Sequence, residues 1–274
     1  MRRPAAGVAA LVGELVDANH ILYDQRVVDG FGHVSVRDPG NAGRFFLARS
    51  MAPALVGADD ILTFDLDGNA LGGDERPPYL ERFIHGEIYR ARSDVMAVVH
   101  NHSPCVIPFG VVSSAPLRPI CHMSGFLHPQ APVFEIRSAA GTASDMLIRD
   151  RALGAALARS LGGHAAVLMR GHGATVVGTT LRQAVFRAVY TEVNARLQTE
   201  ALRLGAVTFL TAEEAASAAA MNDKVLNRAW ELWQLRVRGS ARPSAAQSAL
   251  QASPRSRLRR RAHGPAGSRR SRRR

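Results

Sequence analysis

The stretch Val98-Val99-His100-Asn101-His102-Ser103-Pro104 places two imidazoles one residue apart at the end of an apolar run. In an extended chain, side chains at i and i+2 share a face, so His100 and His102 project together while Asn101 points away. Such a pair can share a divalent ion; two polar residues closing a strand have the same letters. A third imidazole, His172, stands between Gly171 and Gly173 where one apolar run ends and the next begins. Glycine flanks let the backbone turn sharply and bring the ring close to a neighbour, although an ordinary glycine turn with an exposed histidine also fits. Glu81 opens the helical pattern that precedes the His100 run. Facing inward, its carboxylate needs a partner; facing outward, it only complements the positive end of a helix. Three imidazoles and one carboxylate form a donor set for zinc or manganese, with cobalt and iron also served, and leave a coordination position for substrate.

The elements around these residues alternate between helical and extended periodicity, with no internal repeat and no linker before residue 239. Residues 5–22 carry apolar positions at helical spacing, and GFGHVSVRD and RFFLARS alternate like strands. DILTFDLDGNAL predicts a strand, a turn at Asp67-Gly68-Asn69 and a return strand. PPYLERFIHGEIYRARSD predicts a helix opened by its prolines, with Glu81 in the first turn, and VMAVVHNH predicts a buried strand. Residues 104–134 are rich in proline and read as long loops. SDMLIRDRALGAALARSLG predicts a helix, HAAVLMRGHGATVVG a strand, glycine turn and strand, and TLRQAVFRAVYTEVNARLQTEALRLG a long helix. A last helix, about Ala212 to Arg238, carries Trp230 and Trp233. Such an order implies an α/β fold with helices on both faces of a mixed sheet.

Other metal motifs fail on spacing. A cupin places a glutamate three or four residues after its histidine pair, and HSPCVIPFG has none. In the HxHxDH pattern of metallo-hydrolases, Pro104 and Cys105 stand where the acid and the histidine belong. The adjacent letters His-Asn-His are not the dispersed HNH nuclease motif.

Up to about residue 238 the chain resembles the class II aldolase/adducin family in the order and spacing of GFGHVSVR, FLARSMAP, LERFIHGEIYRARSDVMAVVHNHSP and RGHGATVVGTTLRQAVFRAVYTE. The resemblance implies a three-layer α/β/α sandwich around a mostly antiparallel mixed sheet. It implies one divalent metal ion per subunit, held by His100, His102 and His172, with Glu81 as acid/base, ligand or both. It also implies a ring-shaped homotetramer with active sites at subunit contacts. Sugar-phosphate enzymes of the family grip phosphate with a Gly-Asn pair, a Thr/Ser-Gly loop and a Ser-Ser pair. Here those places read Gly32-His33, ARSMAP and Tyr79-Leu80. The chain therefore resembles more the branch of 3-hydroxy-2-methylpyridine-4,5-dicarboxylate and dihydroxyphthalate decarboxylases. Carried over, His33, Arg49 and Ser50 fall where the substrate anion binds, and His122 and His128 lie in a loop region that reaches a neighbouring subunit's site. His85, four residues after Glu81, reads as a packed helix histidine outside the ligand set.

The expected activity is a metal-dependent lyase, a decarboxylase of a hydroxylated aromatic or pyridine dicarboxylate. The alternative is an aldolase acting on a hydroxy-carbonyl or sugar phosphate. A non-catalytic adducin-like scaffold and a nucleic-acid binder stand behind these. The last is suggested by a net charge of +12, but residues 239–274 hold 11 of the 35 Lys and Arg residues and no acid, leaving 24 basic against 23 acidic side chains elsewhere. Any phosphate-binding role therefore belongs to this Arg-rich tail, which is too poor in apolar residues to order itself and is expected to be disordered. The 274 residues, 46% of them hydrophobic, suffice for one catalytic domain over 1–238. Two cysteines without paired spacing fit a reducing, cytoplasmic setting, and Glu14 and Asp17 make the first apolar stretch an amphipathic helix instead of a signal peptide. No membrane segment is expected.

Overall fold

The computed structural model describes residues 6–240. In chain order they form helix α1 (Ala6–Asp24), strands β1 (His33–Arg37), β2 (Arg44–Ala48) and β3 (Ile61–Asp65), helix α2 (Phe83–Ala91), strand β4 (Ala97–Asn101) and the short helix α3 (Ile107–Val111). Strand β5 (Val133–Phe134), helices α4 (Arg137–Ala140) and α5 (Arg151–Leu161), strands β6 (Ala166–Met169) and β7 (Gly173–Gly178), and helices α6 (Leu181–Leu204) and α7 (Ala212–Ser240) follow. The seven strands lie in the order β3-β2-β1-β4-β7-β6-β5. All neighbours are antiparallel except β5 and β6.

Strand alternation divides the core into two layers. Ala97, Val99, Ala174 and Val176 pack with Leu15 and Ile21 of α1, Val185 of α6 and Trp230 of α7. Val98, Val177, Phe45 and Leu47 face the other way, onto Ile84 and Ile88 of α2 and Leu157 of α5. The fold is thus the expected α/β/α sandwich. Because His100 shares the parity of Val98, the strand directs it to the α2 face at the sheet's edge of loops.

The segment 104–134, expected as long loops, contains the short helix α3 and strand β5, and four expected boundaries moved. The strand after the Asp67-Gly68-Asn69 turn is reduced to one bridge, Phe64 to Ala70. The turn forms as expected, with the Asp65 carboxylate accepting the Asp67 and Asn69 N–H groups, but positive φ at Gly72 and Gly73 bends the chain off the sheet. The prolines do not open α2. Ser50 N–H donates to the Pro77 carbonyl and Pro78 pairs with Arg49, which keeps this segment extended along the end of β2. Leu80–Arg82 then forms a 3-10 turn with Glu81 at φ −90° and ψ 18°, and α2 starts only at Phe83. In SDMLIRD the helix waits for Asp150, whose carboxylate accepts the Leu153 N–H, while Met146 at φ 71° turns residues 144–150 into a loop. Finally, α7 runs two residues past 238; the expected disordered tail beyond Ser240 lies outside the described residues.

The proline-rich segment after His102 is pinned by side chains of α6. Asn194 accepts the Ile120 N–H and donates to the Arg118 carbonyl, Gln198 does the same for Arg118 and Pro116, and Glu192 accepts from the Ser103 hydroxyl at 2.5 Å. No described helix is long and apolar enough to cross a membrane.

Candidate metal centre

The end of β4, the turn between β6 and β7 and the 3-10 turn before α2 meet at one point. His100 is fixed by its strand, opposite His33 on β1 and Thr175 on β7. His102 follows where the strand ends. The β6–β7 turn is closed by a His172 N–H to Met169 carbonyl bond, with Gly171 at φ 64°. Gly173 lies so close to β4 that a Cβ there would overlap the Asn101 carbonyl, so only glycine lets His172 come this near.

One donor atom from each of Glu81, His100, His102 and His172 lies within 4.8 Å of the others. His100 Nε2 is 3.1 Å from His102 Nε2, which is 2.9 Å from His172 Nε2. Glu81 Oε2 is 3.3 Å from His100 Nε2 and 3.5 Å from His172 Nε2. Donors each about 2.1 Å from one ion stand roughly 3.0–3.5 Å from one another, so the four groups fit a divalent cation with little movement. The surroundings orient two of them. The Ile148 N–H donates to Glu81 Oε1 at 3.0 Å, turning Oε2 toward the rings. The Met146 carbonyl, 2.9 Å from His172 Nδ1, accepts a hydrogen bond from that nitrogen, which fixes the ring proton there and leaves the Nε2 lone pair free for a metal. His100 Nδ1 is buried and has no partner among the described residues, and its ring is held by packing against His33, with centroids 5.0 Å apart.

Burial would raise the Glu81 carboxyl, but the His100 and His172 rings outweigh it and hold the group well below the usual carboxylate range. Burial and the other two rings push His102 down to about 4. For His172 burial acts downward, and Glu81 more than offsets it, so its imidazole titrates above the ordinary value. Burial also lowers His33, and takes His85 to about 3. These directions give a pH prediction for the metal-free protein. Below pH 6.5 the unfolded chain binds protons that folded His33, His85 and His102 refuse, so stability falls on acidification. His172 acts oppositely, its contribution being present below 6.5 and lost as pH rises, but it is one group against three. Thermal unfolding in chelator should therefore give a lower Tm at pH 5 than at pH 6.5; an unchanged or higher value would contradict these environments.

A cavity of about 340 Å³ opens beside the cluster, lined by His33, Ser50, Tyr79, Glu81 and His102 together with Phe31, Met51, Leu80 and Leu147. A second, of about 440 Å³, adjoins His102 on the side of Asp29 and Tyr23. Of the expected anion-binding residues, His33 and Ser50 reach the first cavity. Arg49 does not: its Nε donates to Asp60 at 2.8 Å, an ion pair that commits the guanidinium elsewhere. His122 is not brought to the cluster within this chain; it lies beside Tyr190 and Trp233 of α6 and α7. His85 is packed as expected, but its ring also bonds His33 and Ser35, a contact that spacing left unseen. The signal was present as period 2 on the strand (His33, Ser35) facing i, i+4 on the helix (His85, Tyr89). The contribution of the 144–150 loop carried no such signal, because it is made by backbone groups.

Residues 13–199 match the family described as the Class II Aldolase and Adducin N-terminal domain. The decarboxylase TropJ of Talaromyces stipitatus is 35% identical over 245 residues, covering 81% of this chain and 92% of that protein. The 3,4-dihydroxyphthalate decarboxylase of Arthrobacter keyseri is 32% identical over 69% of this chain and 77% of its own. Among solved structures, the L-fuculose 1-phosphate aldolase of Glaciozyma antarctica superposes with a TM-score of 0.63 at 25% identity, covering 79% of this chain and 85% of that one. An aldolase II superfamily protein from Pseudomonas syringae shares the fold, with a TM-score of 0.72 at 20% identity over 87% and 96% of the two chains. With a match that spans most of the chain and contains all four clustered residues, this protein belongs to the class II aldolase and adducin family, whose matched members include decarboxylases and aldolases.

Proposed function

We propose that the chain is a divalent-metal-dependent carbon–carbon lyase that decarboxylates a hydroxylated aromatic or pyridine dicarboxylate. The observation that carries this reading is a largely apolar cavity, with no lysine or arginine among its described lining residues, directly beside three imidazoles and a carboxylate. Phe31, Leu80 and Leu147 suit a flat ring, and the polar end of the cavity suits its substituents. A phosphate fits poorly: Arg49 is paired with Asp60, and the Ser50 N–H is spent on the Pro77 carbonyl. The names of the relatives, two of them decarboxylases, point the same way.

A zinc, manganese, cobalt or iron ion held by Glu81, His100, His102 and His172 would supply positive charge beside the electron pair left on the ring when carbon dioxide departs. Glu81 acts in this reading as the fourth donor, since one oxygen is held by Ile148 and the other faces the imidazoles. His33 and Ser50 hold the substrate's polar substituents. The bond to the carboxyl carbon breaks, its electrons stay on the ring carbon, and a proton from water takes the vacated place. Phe31, 66% exposed at the cavity mouth, is free to meet a second subunit, in keeping with a homotetramer whose sites lie at subunit contacts.

The test is a carbon dioxide release screen over hydroxylated phthalates and pyridine dicarboxylates, with each of the four metals added in turn. Metal-dependent release from at least one substrate is expected. Cleavage of hydroxy-aldehyde or sugar-phosphate substrates to an aldehyde, without any carbon dioxide release, would overturn the decarboxylase in favour of the aldolase.

A further inference from the structure

A line of polar side chains runs inward from the cavity between the sheet and α2. His33 Nδ1 is 2.6 Å from His85 Nε2, His85 Nδ1 is 2.6 Å from the Ser35 hydroxyl, and that hydroxyl is 2.7 Å from the Tyr89 hydroxyl. Ser35 and His85 have no exposed surface and Tyr89 has 1%, so every proton in the line must find an acceptor within the protein. We infer that Tyr89, through Ser35 and His85, fixes His33 in the tautomer with its proton on Nε2, and that this N–H is the donor that receives a carboxylate of the substrate. The inference rests on the proposed reading for the class of substrate and goes beyond it in assigning the donor and the residues that orient it.

The direction of the line follows from counting protons. Among the described residues the Tyr89 hydroxyl has one hydrogen-bonding side chain beside it, Ser35; the Val98 backbone N–H can only donate to it, and the Arg37 guanidinium over its ring, 4.7 Å from the centroid, accepts nothing. Tyr89 therefore donates to Ser35, and Ser35, with one proton of its own, donates to His85 Nδ1. A neutral imidazole accepting at Nδ1 carries its proton on Nε2, so His85 donates to His33 Nδ1. By the same rule His33 carries its proton on Nε2, a nitrogen with no hydrogen-bond partner among the described residues, in a ring that lines the cavity. Reversing the line would leave a buried tyrosine proton unbonded. It would also turn a lone pair of His33 toward the cavity. A carboxylate only accepts hydrogen bonds, so it is held by the first arrangement and repelled by the second. Tyr79, whose ring lies 4.6 Å from that of His33, restrains the imidazole from the other side.

The experiment uses the full chain with nitrogen-15-labelled histidine and added zinc, and phthalate as the probe. Nitrogen shifts should place the His33 proton on Nε2, and phthalate should bind. Tyr89→Phe keeps the packing and removes the hydroxyl that sets the direction. It should give His33 as a mixture of tautomers and weaken phthalate in proportion to the fraction that keeps the Nε2 proton, about twofold for an even mixture. Ser35→Ala, which interrupts the line without touching Tyr89, should do the same. A His33 proton on Nδ1 in the unaltered protein, no phthalate binding to it, or phthalate affinity in both variants unchanged from that of the unaltered protein would overturn the inference. Failure of the decarboxylase reading looks different: phthalate binds and the tautomer is as stated, but no hydroxylated dicarboxylate releases carbon dioxide.

Discussion

His102→Ala should lower divalent-metal affinity by at least about 100-fold, or about 2.7 kcal/mol, and remove metal-dependent carbon dioxide release with it. His102 Nε2 is the shared neighbour of His100 and His172, at 3.1 and 2.9 Å, and among the described residues no fifth donor joins the cluster of four. Its loss also disturbs the fold less than that of His100 would. His100 is fully buried in the sheet, whereas His102 lies past the end of β4 and is only partly buried. Elemental analysis of the purified variant, beside a His164→Ala control on the turn before β6, measures the effect. Full metal occupancy in His102→Ala would remove this residue from the ligand set.

Gly173→Ala should destabilise the protein by about 3 kcal/mol or more, the range of backbone clashes that cannot relax. A Cβ at this position overlaps the Asn101 carbonyl and comes within 2.9 Å of His102 Cα, both part of the main chain next to the metal ligands. Relief requires β7 to move away from β4, which would carry His172 away from His100 and His102. The variant should therefore lose metal affinity as well as stability. In a domain of this size each kcal/mol shifts Tm by about 2–4 °C, so a fall on the order of 6–12 °C is expected in thermal unfolding. Gly163→Ala, where an added Cβ meets nothing within 4 Å, serves as the control. Equal Tm values for the two variants would contradict the close approach of β7 to β4.

His100, His102, His172 and Glu81 were legible as a candidate cluster because two local rules apply to them. Period 2 puts His100 and His102 on one face of a strand, and glycine flanks mark His172 as a turn residue near a neighbour. The layered α/β fold was legible for a similar reason: apolar periodicity in Ala97–Asn101, Gly173–Gly178 and Leu181–Leu204 is a property of neighbours in the chain. Arg49 was misplaced by the same kind of reasoning. Its position along the chain suited an anion site, but Asp60, eleven residues later and brought alongside by β3, claims its charge.

By itself, then, the sequence determined which side chains could ligate a metal and the order of the longer helices and strands, both of which depend on residue type and short-range spacing. Only the tertiary structure decided how those side chains are held. The carbonyl of Met146 and the N–H of Ile148 orient His172 and Glu81 from a loop whose letters predict a helix. The line from His33 to Tyr89 joins a strand to a helix about fifty residues away. Backbone hydrogen bonds carry no residue signature, and contacts between distant segments exist only once the sheet and α2 have packed, so neither is written in local sequence.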